Sequence, residues 1–503
     1  MHALSRVLLV LAASTVSAAF DARQVPEQLH LAFAGADAGS GMTVSWATAA
    51  ATPDAAVWLG TVADALAVAD ARVQSASYFS EGDYTLVQHH ATLRGLSPST
   101  KYFYKVGSPG DDALQSNVSS FTTARAATDT TTFEVAVYGD AGDGANSAST
   151  IKLVNALAGQ VDFIYHIGDI SYADDDFLAP GALLKFGFEQ VWNNWTNSLA
   201  PAMRTTPYMV VVGNHEAECH SPACAEKATR LRALGNYTAY NARFRMPANE
   251  SGGALNMWHS FDHGPLHVTS ISTESDFANA PTNQYTAVAK NGNFGDQLAW
   301  LEADLKKADA NRARVPWVLV GMHRPMYHVG YVGADGNPTA GTTPQFVQQA
   351  FEELFLKYKV DVVLAGHEHS YERHLPIARG AAVADGVSAD RKTYASPKAP
   401  VHIITGAAGN AEGHTARPSN TAVWAVASDY EHFGISKLKA SRAALEWTFV
   451  AAASGEVLDQ FVITKGGSAA DSNAPAPAGS AASTPTAVSA LLVLACVAVA
   501  TLL

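Results

Sequence analysis

Asp361-Val-Val-Leu-Ala-Gly-His-Glu-His-Ser-Tyr-Glu-Arg373 decides how the rest of the chain is read. The apolar run 362–364 predicts a short buried strand, ended by Gly366. His367 and His369 follow, two residues apart. In an extended segment, side chains at that spacing leave on one face, so the pair forms a hook for a transition metal.

Four further apolar segments end in the same manner. Phe133-Glu-Val-Ala-Val-Tyr138 runs into Gly139-Asp140-Ala-Gly142, and Val161-Asp-Phe-Ile-Tyr-His-Ile167 into Gly168-Asp169-Ile-Ser-Tyr172. Tyr208-Met-Val-Val-Val212 runs into Gly213-Asn214-His215-Glu216, and Trp317-Val-Leu-Val320 into Gly321-Met-His323. Amphipathic helices are predicted over 147–158, 186–199, 297–307 and 346–358, which makes this region α/β. Closing strands are predicted at 402–405, 434–438, 444–450 and 458–464. In an α/β sheet, residues just beyond the carboxyl ends of the strands share one crevice, where ligands bind. Asp140, Asp169, Tyr172, Asn214, His323, His367 and His369 together offer carboxylate, phenol, amide oxygen and imidazole. That donor set suits two adjacent metals, with one carboxylate able to bridge them. A single Gly-Asp pair is ordinarily a turn. A turn does not explain five such ends in order, each after a buried strand.

Upstream, residues 20–127 alternate like an all-β module. Met42-Thr-Val-Ser-Trp46, Ala56-Val-Trp-Leu59, His90-Ala-Thr-Leu93 and Tyr102-Phe-Tyr-Lys-Val106 read as strands separated by Gly, Asp and Pro clusters. Leu96-Ser-Pro-Ser-Thr-Lys-Tyr102 reads as the corner before a sandwich strand, with Tyr102 as its tyrosine, and Trp46 reads as core. The module resembles a fibronectin type III-like sandwich.

The ordered blocks around Asp140, Asp169, Asn214, His323 and His367 resemble the five motif blocks of the purple acid phosphatases, within the calcineurin-like metallophosphoesterases. Similarity extends to Trp258-His-Ser-Phe-Asp262, Ser272-Thr-Glu274, His323-Arg-Pro-Met-Tyr327, Ser370-Tyr-Glu-Arg373 and Gly406-Ala-Ala-Gly-Asn410. It covers roughly residues 26–465. The resemblance implies an α/β metallophosphoesterase β-sandwich flanked by helices, preceded by the all-β module as in plant-type members. It implies Fe(III) held by Asp140, Tyr172 and His369. A divalent metal (Zn, Mn or Fe) would be held by Asn214, His323 and His367, with Asp169 bridging. The phenolate of Tyr172 would give the purple colour. The implied reaction is acid hydrolysis of small-molecule phosphate monoesters by metal-bound hydroxide. His215 is expected to contact the phosphate or the leaving group. Plant-type members also carry a histidine pair further along the loop after the His323 position, where this chain has Val332 and Gly333. The single loop histidine, His328, is expected to substitute as phosphate contact and general acid. Two other readings stay open: a diesterase or nucleotide pyrophosphatase on the same metals, and a non-catalytic surface adhesion protein.

Composition bounds the partners. The chain has 503 residues, 16% of them charged, and a net charge of -13 without basic runs, which argues against nucleic acid. An anionic substrate needs only a local cationic site, and a metal pair supplies one. There is no P-loop, no helical His-Glu-x-x-His and no Gly-x-Ser-x-Gly elbow. His220, His259, His263 and His402 read as structural, exposed or supporting positions.

The ends read as processing signals. Residues 1–19 resemble a secretory signal peptide, with Arg6 before an apolar stretch and small residues at its close. After the catalytic region, 128–465, comes a low-complexity linker, 466–487, and an apolar tail, 488–503. These form the pattern of a GPI-anchor signal; an ordinary tail anchor or a disordered terminus is the alternative. The expected location is therefore secreted, or on the outer face of the plasma membrane or in the cell wall, with membrane contact only through the lipid anchor. No feature specifies an oligomeric state. With Cys496 in the tail, Cys219 and Cys224 are left, and in an oxidising compartment the pair reads as a small-loop disulfide. Sequons at Asn117, Asn194, Asn236 and Asn249 agree with secretion.

Overall fold

Period-2 alternation in the N-terminal stretch builds two antiparallel four-stranded sheets. The computed structural model describes residues 21–465 except 36, 289, 420 and 421, so the segments 1–19, 466–487 and 488–503 lie outside the described residues. One sheet runs in the order Glu27–Ala34, Gly41–Thr48, Val87–Arg94, Val73–Ala76. The other runs Ser119–Thr122, Lys101–Gly107, Ala56–Gly60, Ala67–Val68. Leu31, Val44, Trp46, Tyr104, Val106 and Phe121 fill the space between. Trp46 is fully buried and stacks on His89 at 5.1 Å. The Tyr102 hydroxyl accepts the Ser97 N–H at 3.1 Å, the bond that defines a tyrosine corner.

A buried ionic network joins this module to the α/β region. Arg243, 2% exposed, pairs with Glu189 at 2.9 Å. From the module, the hydroxyls of Tyr78 and Tyr84 donate to Glu189 at 2.7 and 2.8 Å. The described residues pack as one unit ending at Lys465.

The remainder is a two-sheet sandwich with helices outside. The first sheet runs Tyr208–Val211, Phe163–Ile167, Phe133–Tyr138, Gly434–Ala440, Ala444–Ala451, Val457–Thr464, Thr393–Ala395. Its first three strands are parallel. The second sheet contains Leu266–Ser270, Trp317–Gly321, Val362–Ala365 and Val401–Thr405 as a parallel block. His259–His263 flanks that block on one side and Tyr371–Ala378 on the other. Strands buried on both faces explain the near-continuous apolar runs. Side chains close the gap between the sheets: the Tyr165 hydroxyl meets Ser270 Oγ at 2.8 Å, Thr405 meets Ser436 at 2.9 Å, and Tyr371 stacks on Phe449 at 4.3 Å. The motif strands thus belong to two facing sheets. This is the helix-flanked sandwich that the motif resemblance implies, and the motif turns meet at the junction between its two sheets.

Helices Ala148–Ala156, Phe188–Met203, Gln297–Ala310 and Thr343–Lys357 cover the predicted positions. Phe188–Met203 runs past Pro201 because Ala202 and Met203 are fully buried, which offsets the lost backbone bond. Thr343–Lys357 starts early, with Pro344 in the first turn where no N–H is needed.

Candidate metal centre

Four of the seven expected ligands sit in left-handed backbone. Asp140, Asp169, Tyr172 and His367 have φ of 63°, 50°, 55° and 69°. Each such non-glycine residue costs about 1–3 kcal/mol, and their concentration at one place marks a functional junction. The His367/His369 pair also arrives differently from the expectation. The strand Val362–Ala365 ends before it, so a turn through His367, not strand alternation, delivers both rings.

One half of the cluster gathers Asp140, Tyr172 and His369. The Tyr172 hydroxyl lies 3.1 Å from His369 Nε2 and 3.3 Å from Asp140 Oδ1. His369 Nδ1 donates to the Gly413 carbonyl at 2.9 Å, which leaves Nε2 with its lone pair facing the phenol. Burial lowers this imidazole to about 4, so it is neutral. Asp140 is fully buried and accepts the His367 N–H with both oxygens, at 3.1 and 3.0 Å.

The other half gathers Asn214, His323 and His367 around Asp169. Asp169, His323 and His367 offer ligand atoms that lie within 4.8 Å of one another. His323 Nδ1 bonds the Ile167 carbonyl at 2.9 Å, so the other nitrogen faces inward. There it meets Asn214 Oδ1 at 3.2 Å and Asp169 Oδ2 at 2.9 Å. Arg324 Nη1 donates to His367 Nε2 at 3.0 Å. Burial first, then this cation, hold His367 well below the usual imidazole range.

These residues fit a metal. With Nδ1 committed to a carbonyl, neutral His323 turns a lone pair onto two oxygen acceptors. Apart from that imidazole, the fully buried Asp169 Oδ2 has no hydrogen-bond partner among the described residues. Such a group of acceptors is stable only around a cation, either an added proton or a metal ion. Without the metal the proton wins: burial lowers the His323 pKa, but Asp169 outweighs it and raises it to about 10.

His215 leans over this centre, its ring 4.1 Å from that of Tyr172 and its Nε2 3.9 Å from Asp169 Oδ2. Its Nδ1 is held by Asp174 at 3.0 Å. Burial opposes protonation of His215, but Asp174 and then Asp169 override it and raise the imidazole well above its ordinary value. Several supporting partners surround these ligands, and Asp174 and Asp175 belong to none of the motif blocks. Asp174 and Asp175 follow Tyr172 in an Asp-Asp-Asp run that could have signalled them. Glu216 Oε2 accepts the N–H groups of Asp169 and Gly213 at 2.9 and 2.8 Å, tying two motif turns together. His220 Nδ1 comes within 3.4 Å of Asp174. Cys219 and Cys224 form the expected small-loop disulfide, just beyond the Asn214 motif.

His328 is turned into the protein interior. It is 2% exposed, its Nδ1 accepts the Gly330 N–H at 3.1 Å, and its Nε2 faces Glu372 at 3.2 Å and Glu368 at 3.7 Å. Glu372 also takes His374 at 2.8 Å and the Tyr430 hydroxyl. The chain folds the His328 ring inward onto the buried Glu372, with Glu368, between the expected ligands His367 and His369, as its second neighbour.

Two facing sheets whose motif turns present these donors define a metallophosphoesterase. The family "Calcineurin-like phosphoesterase" matches residues 133–371. "Purple acid Phosphatase, N-terminal domain" matches 26–123, and "Iron/zinc purple acid phosphatase-like protein C" matches 399–460. An acid phosphatase of Aspergillus ficuum is 30% identical over 75% of this chain and 75% of its own length. Acid phosphatase type 7 of Danio rerio is 31% identical over 88% of this chain and 91% of its own length. In fold, the chain is similar to a purple acid phosphatase from yellow lupin (Lupinus luteus) seeds, with a TM-score of 0.69 and 22% identity over 88% of this chain and 74% of that one. The chain belongs to the purple acid phosphatase family and is a metal-dependent phosphoric monoester hydrolase.

Proposed function

We propose that the protein is an acid phosphatase for small phosphate monoesters, with Asp140, Tyr172 and His369 holding Fe(III) and Asn214, His323 and His367 holding a divalent ion (Zn, Mn or Fe). Asp169 is shared between the two. The observation that carries the reading is the buried meeting of Asp169 Oδ2 with His323 Nε2, both lone-pair donors, 2.9 Å apart. When bound, such a metal pair supplies a nucleophile at acid pH and neutralises phosphoryl charge. The chain does the rest. Asp174 fixes His215 with Nδ1 outward, leaving Nε2 to contact the phosphoryl group and give a proton to the departing alkoxide. Burial of Asp140, Asp169 and His323 keeps bulk water away from the donors. Metal analysis and a visible spectrum of the purified protein, followed by rates on a phenyl phosphate and on its bis-ester, test the reading. Two metals, colour and faster monoester cleavage are expected. A faster bis-ester would make the protein a diesterase, and absence of metal would leave a binding module.

We further infer secretion and surface anchoring through a lipid added near Ser472 or Asn473. The Cys219–Cys224 disulfide and the exposure of Asn117, Asn194 and Asn249 support an oxidising, glycosylating route. Asn236 fits less well, because its amide exchanges hydrogen bonds with the Gly292 backbone. Among the described residues no helix is long and apolar enough to cross a membrane. Release from cells by phosphatidylinositol-specific phospholipase C is the test; recovery of a chain retaining residues 488–503 would refute it.

A further inference from the structure

Tyr285 belongs to none of the motifs. It lies on the loop between the strand Leu266–Ser270 and the helix Gln297–Ala310. Its hydroxyl oxygen accepts a hydrogen bond from Asn214 Nδ2 at 2.8 Å. An asparagine amide has two ends of opposite character, and a metal accepts only the oxygen. With Nδ2 given to Tyr285, Oδ1 turns inward to 3.2 Å from His323 Nε2.

Tyr285 is 40% exposed, yet it is held from two sides. The backbone N–H groups of Tyr285 and Thr286 donate to Glu218 Oε1 at 2.9 and 3.0 Å, and Thr286 Oγ1 donates to Oε2 at 2.6 Å. Glu218 is 1% exposed. The phenol ring stacks on His220 with centroids 4.0 Å apart and planes 23° from parallel. His220 lies inside the loop closed by Cys219 and Cys224, so the disulfide frames the surface against which Tyr285 rests.

We propose that Tyr285 is a positioning residue for the divalent half of the centre: it fixes the Asn214 amide oxygen-inward, and Glu218 and the disulfide-framed His220 hold Tyr285 in place. The proposal rests on the reading of Asn214 as a ligand. Outer hydrogen-bond partners of metal ligands typically contribute about 10–100-fold in affinity. Tyr285→Phe keeps the stacking ring and removes only the oxygen that selects the amide orientation.

The test loads the full chain with both metals and follows release of the divalent ion to a chelator while the visible band is recorded. Tyr285→Phe is expected to release the ion about 10–100-fold faster. The band, which depends on Tyr172, should persist, and excess divalent ion should restore turnover. His220→Ala, with the disulfide intact, should shift release in the same direction. In an Asn214→Asp background both ends of the side chain are oxygen, so Tyr285→Phe should add little; a merely structural brace would weaken both backgrounds alike. Equal release from wild type and Tyr285→Phe, with two metals bound in each, would overturn the proposal. A wild-type protein that binds only the Tyr172-side ion would overturn the ligand reading of Asn214, and the proposal with it.

Discussion

Both carboxylate oxygens of Asp174 lie 3.0 Å from His215 Nδ1. This pair sets the direction in which His215 faces the centre. His215→Ala should lower kcat for an alkyl phosphate by about 10²–10⁴-fold. Asp174→Asn should lower it by a smaller factor, with metal content unchanged in both. Wild-type rates in His215→Ala would remove the imidazole from the reaction.

Tyr172 stands 3.1 Å from His369 Nε2 and 3.3 Å from Asp140 Oδ1, so its oxygen belongs to that half of the cluster. Tyr172→Phe should abolish or strongly weaken visible absorption while circular dichroism stays unchanged. Undiminished colour at full iron occupancy would contradict a phenolate ligand.

The Arg243–Glu189 pair shows how the β-module is fastened. Removing one partner of a buried pair leaves an uncompensated charge and costs about 3–5 kcal/mol. Glu189→Gln should lower stability by an amount of that order in denaturant titration, although Glu189 lies outside the metal cluster. A change under about 1 kcal/mol would mean that Tyr78 and Tyr84 carry the junction without it.

His328→Ala is expected to act on stability, since the ring faces the buried Glu372. Rates on alkyl and nitrophenyl phosphates should change by the same factor, with a lower melting temperature. Selective slowing of the alkyl ester would restore His328 as the proton donor.

His267 lies between Asp262 at 2.6 Å and Asp304 at 3.1 Å, joining the strand Leu266–Ser270 to the helix Gln297–Ala310. Burial depresses its pKa, but Asp304 and Asp262 outweigh that and raise it to about 10. A raised folded pKa stabilises fully below the unfolded value of about 6.5, and the gain is lost as pH rises towards 10. Wild-type stability should therefore fall between pH 7 and 10, by on the order of a few kcal/mol. His267→Gln should flatten that dependence; an equally steep loss in the variant would place its cause elsewhere.

Local pattern made much of this molecule legible. Apolar runs ending in Gly-Asp, Gly-Asn-His and Gly-His-Glu-His marked the motif strands, and strand ends are where side chains meet. The two-sheet sandwich came from the motif resemblance alone; which strand joins which sheet was not legible, because a strand buried on both faces reads alike in either. The fate of His328 was hidden for a related reason. Loop position suggested proximity to the substrate, but its partners, Glu372 and Glu368, are distant in sequence, beyond the helix Thr343–Lys357 and the next strand. Tyr285 carries no motif at all, and only the fold brings it to Asn214.

Asp140, Asp169 and Asn214 hang from one sheet of the sandwich, His323 and His367 from the other. Under the proposed ligand set, an ion gripped by both sets would be a rivet through the two layers. Its affinity would then also be cohesion: whatever stripped the centre would loosen the join between the layers, and whatever pried them apart would spill the ions. Melting temperature should climb with free divalent metal and fall on chelation, because a ligand that binds only the folded chain stabilises it in proportion to its occupancy.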